Sequence, residues 1–178
     1  MKTLAVALAV MTAGCSQQSA ATTAAASQSR DREELESLVN ASILFNRADA
    51  DLKQREFWAN VSSEHLLGAD EILEKSNVFR FAKAAEDAHV VKYGANHRGL
   101  RSYPLHVIQS VRLLEHYTEV VVQSECLNAK IAAEKSIDIN ASRRSRHDAY
   151  SREASRASQR IFDALAKQEA VFRTAALQ

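Results

Sequence analysis

The chain has 178 residues, with 23 Lys and Arg against 22 Asp and Glu and a formal net charge of +1 at pH 7. That balance excludes a general nucleic-acid binder, which needs a basic surface to neutralise phosphates. One proline and four glycines are too few for the tight turns of a β-sheet protein, whereas abundant Ala, Leu, Glu, Arg and Lys favour helix.

The chain opens with Lys2, a short apolar run from Leu4 to Met11, and the small residues Thr12, Ala13 and Gly14 ahead of Cys15. The run falls well short of the roughly 20 residues that span a hydrocarbon core, so residues 1–14 read as a removable export signal. The quartet Thr12-Ala13-Gly14-Cys15 resembles the cleavage box of bacterial lipoproteins, with Thr12 where that family usually carries an aliphatic residue. The resemblance implies that the Cys15 thiol is joined to diacylglycerol and that Cys15 becomes the new N-terminus. The protein would then hold a lipid bilayer through acylated Cys15, each buried methylene contributing about 0.8 kcal/mol. Ser16 follows the cysteine in place of the Asp that marks inner-membrane retention, so the same resemblance implies the outer membrane, facing the periplasm. The plainer alternative is ordinary secretion, with cleavage at an Ala-rich site and no lipid.

Removing residues 1–14 leaves 164 residues, with 22 basic and 22 acidic side chains. That is enough for one domain with a core and short for two. Residues 15–28, rich in Ser, Gln, Ala and Thr without a large apolar group, predict a flexible tether. Residues 29–178 predict a single helical domain.

Asp31 with Glu34 resembles a capping box, so a first helix is expected from there to about Asn60. Its apolar positions are Leu35, Leu38, Val39, Ile43, Phe45, Leu52, Phe57 and Val61. Ser62 and Ser63 offer caps for a second helix, whose Leu66, Leu67, Ile72, Leu73, Phe79, Ala82 and Val90 carry an apolar side to about Val91. A loop between Tyr93 and Pro104 holds Gly94, Asn96, Gly99 and the only proline.

Pro104 opens a third helix, with Ile108, Val111, Leu114, Tyr117, Val121, Leu127 and Ile131 toward the core. The β-branched run Val120 to Val122 also reads as a buried strand, which keeps an α+β fold open as the alternative. A second break spans Ile137 to Ser142, with Asn140 or Ser142 as cap. A fourth helix follows, with the narrow stripe Tyr150, Ala154, Ala157, Ile161, Leu165, Phe172 and Ala175. The expected fold is therefore all-α, an antiparallel bundle of about four helices.

Charge is uneven along this chain. Residues 28–92 carry nine basic and thirteen acidic side chains, and residues 141–178 carry eight and four. Arg152, Arg156 and Arg160 recur one helical turn apart and form the candidate docking face for an acidic envelope protein, anionic lipid or glycan. The competing reading is a solvated face partly neutralised by the acidic first half of the chain.

Catalytic and metal signals are weak. Glu86 and His89 share a helical face, but a di-metal bundle requires a second Glu-x-x-His that the chain lacks. His97 and His106 lie in or beside the loop, His65 and His147 have no ligand-spaced partner, Glu115 and His116 point in different directions, and no Cys-x-x-Cys-His motif attaches haem. Cys126 reads as a buried small hydrophobe or, alternatively, an exposed thiol. No nucleophile elbow or phosphate-cradling loop is present. The expectation is a non-enzymatic lipoprotein without metal or cofactor, a protein-binding or assembly component of an envelope or secretion system. A periplasmic immunity protein that binds a toxin, and a ligand- or metal-binding bundle, are the alternatives.

Overall fold

A computed structural model describes residues 14–64, Asp87 and 102–178. The protein is all-α: α1 spans Gly14–Glu64, α2 Leu105–Ser136 and α3 Arg143–Ala176, and no strand occurs among the described residues. Val120 to Val122, the run that kept an α+β fold open, lies inside α2. The chain divides into two compact units, Met1–Ser37 and Leu38–Gln178.

In the first unit the described chain is helical from Gly14. The helix start expected at Asp31 is thereby corrected, and the stretch 15–28, expected as a tether, falls within α1. Ala20, Ala21 and Ala24 to Ala26 occur without an intervening Gly or Pro, and their high intrinsic propensity sustains helix. From Ala25 to Ser37 the side chains are exposed apart from half-buried Leu35, and Arg32 bonds Glu36 one turn on at 3.2 Å.

The second unit begins at Leu38, and its core comprises three clusters. In chain order along α1, Val39 and Ile43 meet Val111, Leu114, Phe172 and Ala176. Ala50 packs with Val122, Cys126, Ile161 and Leu165. Trp58 and Val61 pack with Ala129, Ala133, Tyr150 and Ala157. Numbers rise together in α1 and α2 and fall in α3, so α1 and α2 run parallel and α3 runs antiparallel to both. Fully burying one such Leu or Ile contributes about 2–3 kcal/mol.

Each boundary has a local cause. Pro104, which lacks an amide hydrogen, precedes α2, and its carbonyl accepts from Val107 N and Ile108 N. Between α2 and α3, Asp138 Oδ1 accepts from Asn140 N at 2.8 Å and closes a tight turn. Ser142 caps α3, its hydroxyl accepting from Ser145 N at 3.2 Å. Ser62 lies within α1 and does not cap a new helix, because α1 continues to Glu64. The expected second helix lies outside the described residues save for Ser62, Ser63, Glu64 and Asp87, as does the expected loop apart from Ser102, Tyr103 and Pro104.

Which apolar residues face the core differs in part from the spacing argument. On α2 the buried row is Val107, Val111, Leu114, Thr118, Val122, Cys126, Ala129 and Ala133. Leu127 and Ile131, expected inside, are 52% and 40% exposed. Small Ala129 and Ala133 let α3 approach closely, opposite Ala157. Thr118 sits within this row because its hydroxyl donates to Leu114 O at 2.8 Å. On α3 the stripe is as expected from Tyr150 to Phe172, except that Ala154 is only half-buried; at the end Ala176 is buried and Ala175 exposed.

Candidate functional site

Arg152, Arg156 and Arg160 are exposed on α3. Two of them are already bonded within the chain: Arg156 to Glu153, one turn before it, and Arg160 to Glu125 of α2 at 2.6 Å. Exposed pairs of this kind contribute about 0–1 kcal/mol, but they lower the positive charge that the face offers to a partner. The side chain of Cys15 lies outside the described part of α1, as do Glu86 and His89.

A second surface follows from burial. Leu113, Val120, Leu127 and Ile131 of α2 are 65%, 48%, 52% and 40% exposed. At about 100° per residue they project from the side of α2 opposite Val111, Leu114 and Val122. Leu113, Val120 and Leu127 are spaced seven apart, and Tyr117, Ser124 and Ile131 repeat with the same period. A single exposed apolar side chain is ordinary; a heptad-spaced row is the geometry by which one helix packs along another. The sequence contained this row, but the spacing argument assigned two of its members, Leu127 and Ile131, to the core.

Beside this row, α1 and α2 enclose an open cleft of about 360 Å³, lined by Phe45, Asp49, Lys53, Arg112, Glu115, His116 and Glu119. Lys53 bonds Asp49 at 2.9 Å inside it. Among the described residues no group of three or more His, Cys, Asp or Glu could hold a metal ion.

Other polar groups in the body serve packing. Arg47 of α1 grips Glu169 of α3 through two bonds of 2.7 and 2.6 Å, and the Glu169 side chain is only 8% exposed. The hydrogen bonds to Glu169, together with its charge, hold the guanidinium pKa above its usual value against desolvation. Burial pushes the Asp51 carboxyl up to about 6, with Arg55 opposing the shift. Cys126 is a free, fully buried thiol whose pKa is pushed up to about 12 by burial and by Glu125. It is therefore a poor nucleophile. Among the described helices none is long and apolar enough to cross a membrane.

No family model, no curated protein and no solved structure matches this chain.

Proposed function

We propose that the protein is a lipid-anchored envelope component, held at the periplasmic face of the outer membrane through acylated Cys15, which binds another protein and catalyses no reaction. The observation that carries the binding role is the heptad-spaced apolar row along the outside of α2. Leaving four large side chains in water forgoes about 25 cal/mol for each Å² of apolar surface, and a helix laid along them recovers it. Arg152 and the partly neutralised Arg156 and Arg160 form a polar surface on neighbouring α3, suited to steering an acidic partner.

The finer architecture in this proposal is a four-helix bundle. Because α1 and α2 run parallel, a fourth element antiparallel to both would complete an alternating bundle. Burial around α1 supports a covering element: Leu38, Ala41 and Ala48 project away from the α2 and α3 contacts, yet are 0%, 5% and 6% exposed.

The anchor is tested by Cys15→Ser, which is expected to abolish lipid attachment and release the protein from membrane fractions. Unchanged processing and fractionation would refute it. The binding role is tested with a photo-crosslinking residue at Val120 in living cells, alongside the same residue at Glu153. A discrete adduct at Val120 alone is expected. A secretion-system subunit or a toxin in such an adduct separates an assembly role from an immunity role.

A further inference from the structure

We infer that Asn140, in the turn between α2 and α3, is an acceptor for N-linked glycosylation. The inference rests on the export proposed above, because glycans are transferred to asparagine outside the cytoplasm, and it adds a modification site that the binding role does not require.

The acceptor pattern is Asn-x-Ser or Asn-x-Thr with any residue but proline between. Three such triads occur in the chain: Asn40-Ala41-Ser42, Asn60-Val61-Ser62 and Asn140-Ala141-Ser142. A transferase has to hold the asparagine amide and the hydroxyl two residues on at the same time. A helix forbids this, since residues two apart project about 200° apart around its axis. Asn40 and Asn60 lie inside α1, and their serines, Ser42 and Ser62, are buried. Asn140 lies between the end of α2 at Ser136 and the start of α3 at Arg143, and Asp138, Ile139, Asn140 and Ser142 are all exposed.

The chemistry of the turn agrees. The Asn140 backbone N–H donates to Asp138 Oδ1, whereas its side-chain carboxamide makes no hydrogen bond among the described residues, so Nδ2 is presented to solvent. Ser142 Oγ accepts only the exposed bond from Ser145 N at the first turn of α3. The first buried residues of α3 are Ala149 and Tyr150, so that turn can open for an enzyme without uncovering the core. Asp138 also sets a carboxylate two residues before the acceptor, where bacterial transferases of this kind require an acidic side chain. The same position holds Leu38 before Asn40 and Trp58 before Asn60. In the transfer, Asn140 Nδ2 attacks the anomeric carbon of an oligosaccharide carried on a polyprenyl pyrophosphate. An N–C bond forms and the bond from that carbon to the pyrophosphate oxygen breaks. The lipid pyrophosphate leaves with the bonding pair and takes up the proton that Nδ2 gives up.

The test takes the full protein from membranes of the cell that makes it. Trypsin, cutting after Lys135 and Arg143, isolates Ser136–Arg143, in which Asn140 is the only asparagine. The mass of that peptide is expected to be raised by a whole number of sugar residues, with the peptides holding Asn40 and Asn60 unmodified. Asn140→Gln and Asp138→Asn are each expected to abolish the added mass. Ser142→Thr, which keeps both the hydroxyl and the α3 cap, is expected to retain it. Circular dichroism is expected to be unchanged in all three variants. An unmodified Ser136–Arg143 in a chain that carries acylated Cys15, or sugar at Asn40 or Asn60 instead, overturns the inference and leaves the envelope reading standing. A chain that keeps Met1 and remains in the cytoplasm overturns both.

Discussion

The two faces of α2 invert the usual expectation about size. Its inner face carries Thr118, Cys126, Ala129 and Ala133 among its buried residues, whereas its outer face carries Leu113, Val120, Leu127 and Ile131 in water. Burial on this helix is decided by how closely α3 approaches, and small side chains permit that approach. The bulkier residues are left on the opposite side, where they constitute a surface. A row of large apolar residues on a helix is thus a statement about what it can bind, and only its neighbours decide whether that partner is its own core.

The contrast breaks hardest at Leu114. Leu114→Ala is expected to cost about 3 kcal/mol in urea unfolding by leaving a cavity between Val39, Ile43 and Phe172, while Leu113→Ala, one residue away, stays within about 0.5 kcal/mol. Comparable losses at the two positions would erase the distinction between the faces. Glu169→Ala is expected to cost about 2 kcal/mol, because Arg47 would lose both bonds and remain half-buried. Replacing Glu169 and Arg47 together by Leu and Met should restore part of the loss. If the small inner residues admit α3, Ala133→Leu should destabilise by about 1–2 kcal/mol through overpacking; a neutral result would mean that the α2–α3 spacing is not set there.

A smaller effect concerns pH. The folded-state pKa of Asp51, about 6, lies above its ordinary 3.8, so between those values the folded chain binds more protons than the unfolded one. Stability contributed by this group is therefore greatest below pH 3.8 and declines as pH rises through 6. Asp51→Asn is expected to remove that decline and to raise stability at pH 7 by about 1 kcal/mol. An unchanged pH profile would show that the Asp51 carboxyl is solvated.

Much of the fold was legible in one dimension. Pro104, the break at Ile137 to Ser142, the Ser142 cap and most of the α3 stripe follow from local stereochemistry and a period of 3.6, which act within a few residues. The start of α1 was misread because Ser and Thr in the expected tether suggested coil, although alanines sustain helix there. The candidate docking face was legible only in part. Arg152, Arg156 and Arg160 were visible as a stripe, but Glu125, which engages Arg160, is 35 residues away and comes near only through the α2–α3 pairing.

The sequence by itself determined that this chain is helical, where α2 and α3 begin and end, and that its leader resembles a lipoprotein signal, since each is written in neighbouring residues. Tertiary structure alone decided that α1 and α2 run parallel, that Glu169 is the partner of Arg47, and that Leu127 faces water while Ala129 does not. Periodicity defines a helix's stripes relative to one another; which stripe is inside depends on where other helices lie, and that information resides in contacts between residues far apart in the chain.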